Sequence, residues 1–375
     1  MTNTLHTEAP NKLYGLDHLR ALAIIIVMLF HYQRFLGHPE WFPQMITFGW
    51  TGVDLFFVLS GFLIASQLFG QIKNEGSFSV KEFYLKRFFR IIPVYLVVVG
   101  IYFCFPFFRE KEALPPLWKF LTFTQNFGIH LKEYGTFSHA WSLCVEEHFY
   151  LFFPLILIIF QRSNFFRKSY WALLFLFFLS FIIRLYCWNN IFISKINDPS
   201  AETFWLENIY YPAYNRLDGL LVGVSIAAFY QYLPRLFDKV SAYGNLFIML
   251  GIAVVGGVYF FYSAFMTLST TLFSFPLISI GYGLIVLGAL SPTSFLYRWN
   301  SATTSFIATL SYAIYLSHKG IIHIGQKVFS NLGIDKNSSI IILLVCFIFS
   351  VAVAWVLNLA IEKPFMKMRK QFIHK

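Results

Sequence analysis

The stretch LDHLRALAIIIVMLFHYQ, residues 16–33, is an apolar segment with ionisable side chains near both ends. It is about long enough to cross a bilayer core of ~30 Å as a helix. On a helix that turns about 100° per residue, Arg20 and His31 lie about 20° apart around the axis and ~16 Å apart along it. The two side chains therefore share one face of the predicted helix. Asp17, three residues before Arg20, can pair with it on the same side.

The rest of the chain repeats this apolar pattern. Its 375 residues are 57% hydrophobic, 21% aromatic and only 13% charged. This is not the composition of a soluble globular protein. Continuous apolar runs of roughly 18 to 24 residues predict helices and exclude a β-barrel, whose strands alternate. The sequence predicts an all-α integral membrane protein, a polytopic bundle of about ten transmembrane helices. The predicted spans are residues 15–36, 48–70, 91–108, 139–161, 169–190, 209–233, 244–262, 269–290, 305–328 and 338–361.

Basic residues predict the orientation of the bundle. The net charge is +11, and the Lys and Arg residues concentrate in alternate loops, at about residues 73–90, 162–168, 235–239 and 363–375. Because cytoplasmic loops are enriched in Lys and Arg, both termini are predicted to be cytoplasmic. This placement argues against a nucleic-acid partner. A cytoplasmic tail 1–14, a transmembrane domain 15–361 and a second cytoplasmic tail 362–375 are expected.

The fourth span carries two adjacent carboxylates. WSLCVEEHFYLFFP places Glu146 and Glu147 a few residues below the outer surface. Neighbouring helical residues point about 100° apart, so only one of the two is expected to be essential, and Glu147 is favoured as the one near His31. The four cysteines lie within spans, so neither a disulfide framework nor a metal site is predicted.

The sixth span combines charged and small residues. YYPAYNRLDGLLVG places Arg216 and Asp218 inside an apolar helix, where the alternative to a functional role is a structural ion pair. Gly219 and Gly223 form a small-residue face for close helix contact.

The ninth span, SYAIYLSHKGII, adds His318 beside Lys319 near mid-membrane. Histidine, carboxylates and arginine from at least four spans resemble a general base, its orienting partner and an oxyanion or phosphate clamp. Ion or proton coupling in a transporter or exporter of a glycan or small solute would use similar residues, and spacing alone leaves both classes open. A structural subunit is disfavoured because each buried ionisable group costs on the order of 2.5 to 3.5 kcal/mol.

A series of motifs, in order along the chain, resembles membrane acyltransferase family 3, the polytopic O-acyltransferases that modify sugars. These motifs are LYGLDHLRALAIIIVMLFHY, GVDLFFVLSGFLI, KRFFRIIP, WSLCVEEHFYL, RLDGLLVG, SYAIYLSHKGII and IEKPF. Two residues depart from the family pattern: His148 follows the paired glutamates in place of glutamine, and Lys319 follows the late histidine in place of an aromatic residue. These departures concern acceptor preference rather than membership.

The resemblance implies transfer of an acyl group, commonly acetyl, from cytoplasmic acyl-coenzyme A to a hydroxyl of a glycan or glycolipid across the membrane. It implies a multi-pass protein of the plasma membrane, the bacterial inner membrane, with acetyl-CoA or another acyl-CoA as a donor substrate and no permanently bound cofactor. The expected catalytic residues are His31, Glu146, Glu147 and Asp17. The expected donor-binding residues are Arg20, Arg87 and Arg90, and the expected substrate-binding residues are Arg216, Asp218, His318 and Trp141.

Several members of the family carry a soluble C-terminal SGNH-type domain that completes the transfer. Only residues 362–375 follow the last predicted span here, so a stand-alone form is expected, which delivers the acyl group directly or to a separate partner. Some relatives succinylate a polysaccharide or acylate a small natural product, and the sequence excludes neither reaction.

Overall fold

A computed structural model describes residues 13–36, 43–162, 169–261, 266–333 and 339–373. Across these ranges the chain forms helices, turns and loops, without a strand. Most of the predicted tail 1–14 and of the basic loop 162–168 lies outside the described residues. The longest helices of the described chain are α1 (Tyr14–Leu36), α2 (Gly52–Glu75), α3 (Val80–Cys104), α4 (Trp141–Arg162), α5 (Ser169–Cys187), α6 (Asp218–Tyr232), α7 (Gly244–Phe261), α8 (Phe275–Leu290), α9 (Ala302–Asn331), α10 (Ser339–Leu357) and α11 (Lys363–Ile373).

These helices form a polytopic membrane bundle, as the sequence predicts. In the described ranges, eight helical segments are long and apolar enough to cross a membrane. A ninth is added if α6 and the short helix Pro234–Ser241, bent by 107°, count as one span. The long helix α9 is not among them. It is largely buried within the bundle and carries His318 and Lys319 in its middle.

Two close helix pairs organise the centre of the bundle, α2 with α6 and α7 with α8, while α9 packs on both α1 and α10. Glycines make the α2–α6 contact possible. A Cβ atom at Gly223 would lie 2.2 Å from the carbonyl oxygen of Val58, and one at Gly61 would lie 2.2 Å from that of Leu220. The predicted small-residue face of the sixth span therefore packs backbone against backbone.

The sixth span begins later than the sequence predicts. A π-helical turn, Leu206–Tyr210, and a 3₁₀ turn, Ala213–Asn215, precede α6. Pro212 stands between the two turns, and proline lacks the amide hydrogen that a continuous helix needs. The expectation that Arg216 and Asp218 lie inside a helix is therefore wrong, since Arg216 precedes α6 and Asp218 is its first residue.

Each of these two charges pairs with another helix. Arg216 donates to Asp54 of α2 at 2.8 Å, and its guanidinium lies 4.1 Å from the ring centre of Phe275. Asp218 accepts two hydrogen bonds from Arg184 of α5, one of them 3.2 Å long. All four charged side chains are buried. The two ion pairs thus hold the start of α6 between α2 and α5.

The segment 105–140 folds back into the bundle before α4 begins. Phe120, Asn126 and Phe137 along this segment are buried. The backbone amide of Leu131 donates to Glu207 at 2.6 Å, which ties the segment to the loop before α6. Trp141, the first residue of α4, is itself buried, so this helix starts inside the protein rather than at a surface loop.

Gly223→Ala is expected to destabilise the protein by about 1–3 kcal/mol, because the added methyl meets the backbone of α2 and overpacks the contact. The measurement is thermal unfolding in detergent. Gly100→Ala in α3 is the matched control, since a Cβ atom there meets nothing within 4 Å and alanine favours helix. Equal melting temperatures for the two variants would contradict the close α2–α6 contact.

Asp218→Asn is expected to cost about 3–5 kcal/mol of stability, because it leaves the buried guanidinium of Arg184 without its counter-charge. Thermal unfolding of purified protein measures this cost. The comparison is Glu202→Gln. Glu202 lies 3.7 Å from Arg34, and both side chains are well exposed, so this ion pair contributes little to stability. A smaller loss at Asp218 than at Glu202 would show that the buried pair does not hold α6.

Candidate active site

The first cavity, which we call the arginine cavity, has a volume of about 320 Å³. Arg20 of α1 and Arg87 and Arg90 of α3 contribute positive charge to its wall, and Glu146 and Glu147 of α4 contribute negative charge. Its other polar lining residues are Ser60, Gln67, Ser142, Tyr150, Ser311, Tyr312 and Tyr315. Five predicted site residues from three helices therefore meet in one place.

Glu146 is held firmly in the arginine cavity. Ser60 Oγ donates to its Oε2 at 2.8 Å, and the hydroxyl of Tyr150 donates to the same oxygen at 2.6 Å.

Arg87 donates to Gln67 at 3.2 Å, and its guanidinium lies 5.6 Å from the ring centre of Tyr150. Arg87 is half-buried, whereas Arg90 is exposed.

The second cavity, which we call the histidine cavity, has a volume of about 300 Å³. His31, eleven residues after Arg20 on α1, lines it together with His139 and Lys319. Aromatic side chains form much of the remaining wall: Phe30, Trp50, Trp141, Trp205, Tyr210 and Tyr211. The exposed pair Arg34 and Glu202 also lines this cavity.

Hydrogen bonds define the tautomers of His318 and His31. Nδ1 of His318 lies 2.8 Å from the carbonyl oxygen of Tyr315, and a carbonyl only accepts, so this nitrogen carries hydrogen. In a neutral ring, Nε2 of His318 is then the acceptor, and Nδ1 of His31 lies 3.0 Å from it. The same Nδ1 lies 3.0 Å from the carbonyl oxygen of Val27. His31 therefore carries hydrogen on Nδ1 and a lone pair on Nε2, the arrangement of a general base.

Lys319 is paired rather than isolated in the bundle. Its Nζ lies 3.0 Å from Glu110 Oε1 and 3.2 Å from Ser138 Oγ. The amide of Phe137 also donates to Glu110. Both partners of Lys319 come from the segment 105–140, so this charge fastens that segment to α9.

In the part of the chain described, no group of three or more His, Cys, Asp or Glu side chains is arranged to hold a metal ion.

His139 is a site residue that the sequence analysis missed. Its ring centre lies 5.9 Å from that of His31 and 5.0 Å from that of His318. It stands two residues before Trp141, at the predicted edge of the fourth span, where a histidine is indistinguishable from a loop residue. Only the return of the segment 105–140 into the bundle brings it beside His31.

The two cavities share a wall. Tyr315 of α9 and Val53 of α2 line both. The hydroxyl of Tyr315 donates to the carbonyl oxygen of His139 at 2.7 Å and lies 2.5 Å from Ser142 Oγ. One tyrosine and one valine thus belong to the walls of both a cavity lined with arginines and a cavity lined with histidines.

The structure separates the predicted site residues into those of the arginine cavity, those of the histidine cavity and those that line neither. Trp141 lines the histidine cavity with His31, whereas neither glutamate does, so the expectation that Glu147 lies near His31 is wrong. The physical reason is that α4 starts inside the protein, so the turn that carries both glutamates lies beside the arginines of the arginine cavity. The remaining predicted site residues line neither cavity: Asp17, Arg216, Asp218 and His318.

Asp17 and His318 contact other residues of the bundle. Asp17 accepts a hydrogen bond from Ser305 Oγ at 3.0 Å, which links α1 to α9. His318 is fully buried behind His31. Its geometry suits a positioning residue that acts through His31 rather than a direct substrate contact.

Two named relatives share most of this chain. It is 25% identical over 332 residues to a Staphylococcus aureus (strain COL) protein with a provisional O-acetyltransferase name, covering 82% of this chain and 50% of the relative. It is 26% identical over 339 residues to the peptidoglycan O-acetyltransferase OatA of Listeria monocytogenes, covering 84% of this chain and 50% of that protein. The chain thus spans about half the length of the curated relatives it matches.

A family comparison covers almost the whole chain. The model of acyltransferase family 3, described as an acyltransferase domain, matches residues 13–359. No solved structure matches the chain. The matched residues include every helix that lines the two cavities. The chain therefore belongs to acyltransferase family 3.

Proposed function

We propose that this protein is an integral membrane O-acyltransferase that moves an acyl group, acetyl in the simplest case, from acyl-coenzyme A to a hydroxyl of a glycan or glycolipid. The observation that supports this most is the shared wall between the arginine and histidine cavities. A donor in one cavity and an acceptor in the other would both lie against Tyr315 and Val53.

The arginine cavity is proposed to hold the donor. Guanidinium groups bind phosphate oxygens through paired, charge-assisted hydrogen bonds, and coenzyme A carries several phosphates. Arg87 and Arg90 follow the basic loop that the positive-inside rule places in the cytoplasm, where acyl-coenzyme A is made. In this proposal the two glutamates act on the donor side, where they balance the charge of the arginines in the absence of the donor.

The histidine cavity is proposed to hold the acceptor. Its aromatic walls suit the apolar faces of sugar rings, and His31 presents a lone pair on Nε2. His31 would take the proton of the acceptor hydroxyl as that oxygen attacks the thioester carbonyl. The carbon–oxygen bond forms, the carbon–sulfur bond breaks, and the proton passes from His31 to the coenzyme A thiolate. His318 would hold the ring of His31 in the required tautomer.

The acceptor is proposed to be a surface glycan of the cell whose plasma membrane carries the protein. A relative named a peptidoglycan O-acetyltransferase makes peptidoglycan one candidate. The decisive experiment is mass spectrometry of surface glycans from cells with and without the gene. Loss of an acyl group on deletion, restored by the gene, is the expected result. Identical acylation in both strains, together with no consumption of acyl-coenzyme A by the purified protein, would refute the proposal.

Arg87→Ala combined with Arg90→Ala is expected to raise the apparent KM for acetyl-coenzyme A at least about tenfold, because contacts to phosphate are lost. Initial rates at varied donor concentration measure the change. The control removes the exposed basic residues Arg235 and Lys239, which line neither cavity. An unchanged donor KM in the first variant would show that Arg87 and Arg90 do not bind the donor and serve only to orient the protein in the membrane.

His31→Ala is expected to lower transfer by about 10²- to 10⁴-fold, because the acceptor hydroxyl loses its base. The variant should reach the membrane at normal abundance, since alanine favours helix. Its thermal stabilisation by acetyl-coenzyme A should persist. His130→Ala, at an exposed histidine of the segment 105–140, is the matched control. Near wild-type transfer by the His31 variant would exclude this residue as the base.

A further inference from the structure

Within the described part of the chain, one ring nitrogen of the buried His139 has no hydrogen-bond partner. Its side chain is only 3% exposed, and it lines the histidine cavity. Nε2 lies 3.0 Å from the carbonyl oxygen of Tyr315, while Nδ1 has no hydrogen-bond partner among the residues that the structure describes. Buried polar atoms are nearly always paired, and leaving one unpaired typically costs about 1–3 kcal/mol. Nδ1 therefore has unused hydrogen-bonding capacity in a residue that lines the histidine cavity.

The tautomer of His139 decides which kind of group would pair with it. The carbonyl oxygen of Tyr315 can only accept, so Nε2 of His139 carries the hydrogen. In a neutral ring Nδ1 then presents a lone pair, which requires a donor such as a hydroxyl. The ammonium of Lys319 is engaged with Glu110 and Ser138. A group bound in the cavity that His139 lines can therefore supply this donor.

We propose that Nδ1 of His139 accepts a hydrogen bond from a hydroxyl of the acceptor adjacent to the hydroxyl that His31 deprotonates. This inference rests on the proposed function. The rings of His31 and His139 line the same cavity, 5.9 Å apart between centres and nearly edge to face. Two hydroxyls on neighbouring carbons of one sugar ring can contact both imidazoles at once. The acceptor is therefore a vicinal diol or polyol, and His139 determines which of its hydroxyls reaches His31.

Two substitutions separate this role from a structural one. In His139→Gln, the side-chain amide reaches the position of Nε2 and keeps the bond to Tyr315, but the acceptor at Nδ1 is lost. In His139→Asn, the shorter amide replaces Nδ1 with an oxygen acceptor and loses the bond to Tyr315. A binding role for Nδ1 and a structural role for Nε2 therefore predict opposite orders of activity.

The experiment uses membranes from gene-deleted cells that carry each variant, so that the native glycans are the acceptor. Incorporation of radiolabelled acetyl from acetyl-coenzyme A into these glycans is followed at equal protein abundance. We expect His139→Gln to transfer at least about tenfold more slowly than wild type, and His139→Asn to recover a large part of that loss. The donor KM should be unchanged in both variants, because His139 does not line the arginine cavity.

Three results would overturn the inference. They are wild-type transfer by both variants, a more active glutamine than asparagine variant, and equal inactivity of two variants that acetyl-coenzyme A still stabilises. The wild-type membranes test the proposed function separately. If they incorporate no label, the acyltransferase proposal fails before the role of His139 is reached.

Discussion

A charge buried in an apolar bundle must find its counter-charge within the bundle, and the architecture of this protein depends on that requirement. Asp54 with Arg216, and Arg184 with Asp218, join three helices at the point where the sixth span begins. Lys319 with Glu110 fastens the segment 105–140 against α9. These pairs thus tie the start of α6 to two other helices, and tie Glu110, which lines the histidine cavity, to α9.

Helices α1 and α9 link the two cavities. Along α1, the eleven-residue spacing puts Arg20 in one cavity and His31 in the other. Along α9, Ser311 and Tyr312 line the arginine cavity, Lys319 lines the histidine cavity, and Tyr315 lines both. The two ends of the proposed reaction are therefore carried on the same pair of helices, and their separation is set by helical rise rather than by loops.

The parts of this architecture that depend on local pattern could be predicted from the sequence. Apolar length predicts the bundle. Features that depend on tertiary folding could not. The depth of Glu146 and Glu147 follows from a segment that re-enters the bundle, and no local signal of polarity or turn residues reports that return. The choice of Asp54 as the partner of Arg216 is likewise a contact between distant parts of the chain. The position of His139 beside His31 likewise depends on the return of the segment 105–140 into the bundle.

The glycine contact between α2 and α6 bears on the wall that the two cavities share. Gly61 and Gly223 bring the two backbones so close together that neither position has room for a methyl group. Val53, on α2, belongs to this tightly packed helix pair. Tyr315 is different, since a side chain can turn about its own bonds once its hydroxyl leaves the carbonyl of His139. Rotation of Tyr315 would therefore change the shared wall while α2 and α6 stay in place.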